Sequence, residues 1–267
     1  MKTKEDYLAL VEATLEATLP AASVRPVELY EAMRYAVGTG GKRLRPLLCL
    51  ASAEAVGGRA EDAVHPAAAI EMLHNYTLVH DDLPAMDNDT LRRGKPTVWT
   101  KYGHAQAILV GDALQALAFG TAARAPRNAA AIVAELAAKG VGVVAGQVED
   151  LRRETREGAA AVIPRDCVDF VYEHKTADLF IAACVTGGLA GDGTPEQIEA
   201  LRRFALNLGL AFQYEDDLLD GDSPYSREET ERLVREKTDD AIAALRSLPG
   251  DTAFLAALAE QLIGRTV

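Results

Sequence analysis

The segment Leu179-Phe180-Ile181-Ala182-Ala183-Cys184-Val185 is apolar at every position and offers no polar face to water. A helix of that kind must sit inside a bundle, with other helices around it. The rest of the chain supplies those neighbours. Alanine is roughly one residue in six, Leu, Glu and Arg are common, and all are strong helix formers. Runs with the period-2 alternation of strands are nearly absent. At roughly 150 residues per domain, 267 residues make one large domain or two small ones. No linker, low-complexity tract or short-period repeat divides them. The spacing predicts helices over 4–18, 26–37, 44–56, 60–82, 105–122, 127–152, 164–172, 174–190, 195–220 and 226–262, the last broken near Pro249-Gly250. Gly38 and Gly57-Gly58 read as C-terminal stops, Thr194-Pro195 as an N-cap with proline at the first helical position, and Ser226 with Glu229 as a capping box. The expected fold class is therefore all-α, one domain over residues 1–267, a bundle of about ten helices around a central cavity.

Charge and cysteine usage exclude several classes. With 28 Lys+Arg against 40 Asp+Glu, the net charge of −12 argues against nucleic acid as a partner. The hydrophobic share of 49% rules out wholesale disorder. Cys49, Cys167 and Cys184 are odd in number and widely spaced, which fits neither a disulfide framework nor a zinc site. They read as free thiols in a reducing compartment. The N-terminus meets acidic residues at once, and no uncharged apolar run reaches 18 residues. No signal peptide and no transmembrane segment are expected, and the expected location is cytoplasmic.

Two acidic clusters end apolar helices. The first is Asp81-Asp82-Leu83-Pro84-Ala85-Met86-Asp87-Asn88-Asp89, and the second is Gln213-Tyr214-Glu215-Asp216-Asp217-Leu218-Leu219-Asp220. Carboxylates at a helix C-terminus oppose the macrodipole and repel one another. Asp216, Asp217 and Asp220 share one helical edge through their i,i+3 and i,i+4 spacing. Either cluster alone reads equally well as a solvated acidic loop. Two of them, on helices pointing the same way, would meet at one mouth of the bundle and could hold a hard cation such as magnesium. Basic residues lie nearby in Gly40-Gly41-Lys42-Arg43-Leu44-Arg45-Pro46 and Arg92-Arg93-Gly94-Lys95. The first lacks the glycine at 36 and the hydroxyl at 43 of a nucleotide P-loop, so it suits phosphate oxygens more generally. His74, two helical turns before Asp81, and Thr176, after Lys175, would ordinarily be packing residues. Trp99, Tyr102 and His104 read as packing or loop residues.

Taken in order, Gly-Gly-Lys-Arg-Leu-Arg-Pro (40–46), His74 with Asp-Asp-Leu-Pro-Ala-Met-Asp (81–87), Leu-Arg-Arg-Gly-Lys-Pro-Thr (91–97), Gly-Asp-Ala-Leu-Gln (111–115), Gly-Gln (146–147), Lys-Thr (175–176) and Phe-Gln-x-x-Asp-Asp-x-Leu-Asp (212–220) resemble the trans-isoprenyl diphosphate synthases, most closely the bacterial farnesyl diphosphate synthases. The resemblance implies the isoprenoid synthase fold, a homodimer, and head-to-tail coupling of an allylic diphosphate (dimethylallyl or geranyl) to isopentenyl diphosphate. It implies three Mg²⁺ held by Asp81, Asp87 and Asp216, with Asp82, Asp217 and Asp220 completing ligation or standing just behind it. Arg92 and Lys175 would grip the allylic diphosphate. Lys42, Arg45, His74 and Arg93 would hold the diphosphate of isopentenyl diphosphate. The Lys175 carbonyl, the Thr176 hydroxyl and the Gln213 amide oxygen would face the allylic cation.

Tyr76 lies five residues, about 7.5 Å, below Asp81. In the resembled family an aromatic ring there goes with a C15 product, so farnesyl diphosphate is expected; the same ring reads also as plain core, with Met72 and Met33 shaping the floor. The chain departs from the pattern after Asp220, where relatives carry a glycine-rich loop with two lysines and this chain has no lysine before Lys237. Asp89-Thr90 also stands where many relatives have consecutive aspartates. Two other readings stay open: an inactive or regulatory member with a shortened loop, and a terpene cyclase. The cyclase reading has no use for a second diphosphate set.

Overall fold

The computed structural model describes residues 2–156, 165–221 and 223–263. Its helices are α1 (Lys4–Thr18), α2 (Val27–Gly38), α3 (Leu44–Ala55), α4 (Val64–Asp81), α5 (Val98–Tyr102), α6 (His104–Ala122), α7 (Ala129–Arg156), α8 (Arg165–Val171), α9 (Asp178–Ala190), α10 (Pro195–Asp220), α11 (Arg227–Leu245) and α12 (Ala253–Ile263). Helix stops and N-caps fall at the expected residues, but the reciprocal capping box closes at Thr194 and is only half formed at Ser226, where the Glu229 carboxylate pairs with Arg165 instead. Thr194 Oγ1 accepts from the Gln197 amide while Gln197 Oε1 accepts from the Thr194 amide, and Ser226 Oγ accepts from the Glu229 amide.

The apolar segment at 179–185 lies in α9, which is buried along nearly its whole length. Helices α3, α7 and α10 surround it. Contact with α3 depends on a missing side chain, since a Cβ on Gly187 would lie 2.0 Å from the Cys49 carbonyl oxygen. Helix α4 packs on α3, α6 and α9, so it reaches from core to rim with Asp81 at its end.

Several boundaries differ from expectation. The 60–82 helix begins as a 3₁₀ turn over Ala60–Ala63. The last helix does divide where expected, at Gly250, whose amide donates to the Ala55 carbonyl at 2.9 Å and whose Cβ would lie 2.0 Å from the Glu54 carbonyl oxygen. Leu91–Arg92 and Lys95–Pro96 pair as a two-residue antiparallel hairpin, too short to leave a period-2 signal. Its turn places Arg93 and Gly94 at φ of 54° and 74°, the left-handed pair that tight hairpins favour. The helices expected at 164–172 and 174–190 are joined by a π-turn, Tyr172–Ala177.

Helix α6 and the Ala129–Arg152 part of α7 are long and apolar enough to cross a membrane by length and composition. Both carry isolated charges, such as Asp112, inside their apolar stretches, so neither holds an uncharged run of 18 residues. Each packs on the bundle along one side. The other side leaves Ile108, Leu109 and Val141 exposed.

Candidate active site

Two adjoining cavities occupy the end of the bundle where α4 stops. The first, about 460 Å³, lies between α4, α7, the π-turn and α10. Its walls include Tyr76, Val143, Val148, Leu151, Leu179 and Phe212, and its polar groups are Asp81, Gln147, Lys175, Thr176 and Gln213. The second, about 510 Å³, is lined by Gly41, Lys42, Arg43, Arg45, Glu71, His74 and Arg93. Arg45, His74 and Phe212 belong to both. Residues separated by more than 100 positions thus meet at one mouth.

The acidic side is electrostatically loaded. Burial pushes the Asp81 carboxyl up to about 6; Lys175 opposes the rise, and Asp87 and Asp82 add to it. Asp82 and Asp87 are raised too, again chiefly by burial. Asp82 turns away from the cavity and accepts from Arg92 Nε at 2.6 Å, while Arg92 Nη2 donates to Asp89 at 3.0 Å. Arg92 is therefore ion-paired here, and Asp82 holds it. Lys175 donates to Asp150, three residues beyond Gln147 on α7. From the second acidic motif, Asp217 accepts from Tyr172 and, at 2.7 Å, from Gln213 Nε2. Gln213 Oε1 in turn accepts the Thr176 hydroxyl proton at 2.7 Å. With its proton committed, the Thr176 oxygen keeps lone pairs for whatever occupies the cavity. Asp216 is half-buried and Asp220 exposed at the end of α10.

Among the described residues, no three acidic, His or Cys side chains converge closely enough to cage a metal ion. An all-oxygen donor set with raised carboxyls nevertheless suits a hard divalent cation held by one or two carboxylates and completed by phosphate oxygens. Magnesium fits these residues on that basis.

The basic cavity is loaded with the opposite sign. Burial lowers Arg45 to about 10, and Arg45 Nε is buried with no hydrogen-bond partner among the described residues. Burial, then Arg45 and Arg93, holds His74 well below its ordinary value of 6.5. Arg93 reaches back to donate to the Gly40 carbonyl and lies over Gly41, where a Cβ would come 2.6 Å from its guanidinium. Lys42 is exposed at the rim. Arg43 turns inward instead, paired at 2.7 Å with both Glu12 and the buried Glu71.

Among the described residues, no cation from beyond the second motif lines either cavity. Arg227 pairs with Glu231, and Lys237 lies against Glu236 and Asp240. Asp222 lies outside the described residues. Sequence reasoning passed over Asp150 and Tyr172, which hold Lys175 and Asp217. Asp150 carried a signal in its i+3 spacing from Gln147; Tyr172 carried none.

Residues 26–243 match the polyprenyl synthetase family. A chloroplastic geranylgeranyl pyrophosphate synthase of Capsicum annuum is 47% identical over 203 residues, 73% of this chain and 54% of that protein. Geranylgeranyl pyrophosphate synthase 9 of Arabidopsis thaliana is 42% identical over 247 residues, 90% of this chain and 66% of that protein. The chain thus spans about half to two thirds of the length of these curated relatives. The apo crystal structure of an FPP/GFPP synthase from Zymomonas mobilis superposes with a TM-score of 0.89 at 33% identity, covering 97% of this chain and 98% of that one. The geranylgeranyl names do not support a specific likeness to farnesyl diphosphate synthases. With the family match, the helical bundle and the paired cavities in agreement, the chain belongs to the polyprenyl synthetase family of trans-isoprenyl diphosphate synthases.

Proposed function

We propose that this chain is a prenyltransferase that couples isopentenyl diphosphate to an allylic diphosphate and releases geranylgeranyl diphosphate, the C20 product. The observation that carries the reading is the pair of adjoining cavities, one apolar with an acidic mouth and one basic, sharing Arg45, His74 and Phe212. The allylic chain lies in the first and isopentenyl diphosphate in the second. Mg²⁺, three ions by family resemblance, would be held by Asp81, Asp87 and Asp216 and would neutralise the departing diphosphate. Lys175 adds a cation at the same mouth, and the Thr176 and Gln213 oxygens face the allylic carbon as its C–O bond breaks. The isopentenyl double bond then attacks that carbon, and a proton is lost from the coupled chain. Apolar walls keep water from the cation. A one-substrate cyclase has no use for the basic cavity.

The C20 product replaces the C15 expectation because the matching curated relatives are named geranylgeranyl synthases. In this reading Tyr76 is a side wall. Its ring packs edge-on against His80 with centroids 5.8 Å apart, and the cavity continues beside it along Val143, Val148 and Leu151. Incubation with isopentenyl diphosphate, Mg²⁺ and C5, C10 or C15 allylic partners should give C20 as the longest main product. Tyr76→Ala should admit C25. A wild type that stops at C15 would restore Tyr76 as the floor and overturn the C20 reading.

The exposed apolar face of α6 and α7 is proposed to seat a second copy of the chain. Leu109→Glu with Val141→Glu should then halve the mass seen in sedimentation, whereas a monomeric wild type excludes the homodimer. A cytoplasmic setting is proposed with this function, in keeping with the free thiols of Cys49, Cys167 and Cys184.

A further inference from the structure

Asp178 is 1% exposed at the start of the most apolar helix of the bundle, an expensive place for a carboxylate. Its two oxygens are separately engaged. Lys139 Nζ on α7 donates to Oδ1 at 2.7 Å, and His174 Nδ1 contacts Oδ2 at 2.9 Å. The Asp178 amide donates to the Glu173 carbonyl, five residues back, so backbone and side chain close the same π-turn. That turn carries Lys175 and Thr176. It lies on α7 over two glycines: a Cβ on Gly142 would meet Asp178 Oδ2 at 1.9 Å, and one on Gly146 would meet the Lys175 nitrogen at 2.4 Å. On its other side, a Cβ on Gly209 of α10 would lie 2.6 Å from the Ala177 Cα.

Glycine contacts let backbones approach but do not fix their register. The Asp178 carboxylate can, because it ties the first turn of α9 to α7 and to the π-turn at once. Wide π-turns inside helices are energetically poor and recur at functional sites, where something local must hold them. A buried ion pair is a weak source of net stability but an effective selector of one arrangement.

We infer that Asp178 is a positioning residue for prenyl transfer, pinning the π-turn to α7 through Lys139 and His174 so that the Lys175 carbonyl and Thr176 hydroxyl stay aimed at the allylic carbon. The inference rests on the prenyltransferase reading. A displacement of 1 Å at such a site costs about 10²-fold in rate, so Asp178→Ala should lower kcat by about that factor. KM for isopentenyl diphosphate, bound in the other cavity, should stay within about twofold. Asp178→Asn keeps an acceptor for Lys139 and should recover most of kcat. Gly142→Ala places a methyl where the carboxylate sits; it should reproduce the kcat loss, and the double variant should be little worse than either single one.

Hydrogen exchange over 172–177 should quicken in Asp178→Ala and Gly142→Ala. If Asp178→Ala does not fold, Lys139→Met and Gly142→Ala carry the same test. A folded Asp178→Ala with kcat near wild type, or a kcat loss matched by an equal rise in KM for isopentenyl diphosphate, overturns the inference. An inactive wild type would instead overturn the prenyltransferase reading, and the exchange rates would still decide whether Asp178 holds the turn.

Discussion

Asp81→Asn should lower kcat/KM for the allylic diphosphate by about 10³-fold, the upper end of what loss of one electrostatic stabiliser costs. KM for isopentenyl diphosphate should barely move. The same substitution should raise the melting temperature of the ligand-free protein at pH 7.5. The sign follows from the Asp81 carboxyl, which burial pushes up to about 6 from 3.8. Between those values the folded chain binds more protons than the unfolded one, so stability falls as pH rises through that window, and the full penalty stands above pH 6. Asparagine cannot ionise and removes it, a gain of up to about 3 kcal/mol or several degrees. The difference between variant and wild type should therefore shrink toward pH 4. Mg²⁺ with inorganic diphosphate should stabilise wild type and leave the variant nearly unmoved. Retained activity, or a variant less stable than wild type at pH 7.5, would mean that Asp81 is an ordinary packing residue.

That expected combination, costly in the empty protein and needed in the working one, bears on what a sequence can reveal. Both acidic motifs were legible because an unfavourable local pattern, aspartates at the end of an apolar helix, appears within nine residues. Helix starts were legible for the same reason, since Thr194 and Ser226 signal through neighbours three residues away. What joins Asp81 to Gln213 is the packing of α4 and α10 around α9, and no short-range pattern encodes it; the two acidic helix ends suggested a shared mouth only on the assumption that their helices point the same way.

Other features escaped because their causes are tertiary. Asp82 and Arg92 could be listed as site residues, but their mutual ion pair depends on a hairpin with two-residue strands. The π-turn reads from sequence as a gap between two helices, since its register is set by Gly142, Gly146 and Asp178 on different elements. Product length was the least legible quantity. One ring, Tyr76, suggested C15, while the space beside that ring is set by α7 residues nearly 70 positions away.

Arg45→Met should behave as the basic counterpart of Asp81→Asn. Truncating one partner of a buried charged contact costs 2–5 kcal/mol, so KM for isopentenyl diphosphate should rise by about 10²-fold or more. KM for the allylic substrate should change little. Without ligand, Arg45 is poorly compensated. Glu71, the carboxylate that favours its charge, is already paired at 2.7 Å with Arg43 and accepts from Asn75 at 3.1 Å. Arg45 itself has the Phe180 ring 5.0 Å away and His74 Nε2 at 3.5 Å. Methionine fills similar apolar volume without the charge, so the ligand-free variant should melt higher. His74 gives a second readout. Its value is depressed by burial and by Arg45, so the unfolded chain binds the extra proton first and stability is lost as pH falls below 6.5. In Arg45→Met the His74 titration, followed by NMR, should move upward toward its ordinary range, and the acid-side loss should lessen. Lys42→Met provides the contrast. Lys42 is exposed, so its loss should weaken isopentenyl diphosphate binding with no gain in stability. If Arg45→Met destabilises the protein or spares that KM, the buried guanidinium is a structural group and the diphosphate binds elsewhere. If both lysine and arginine variants raise KM but only the arginine variant melts higher, the basic cavity is held at a cost that the substrate's own charge relieves.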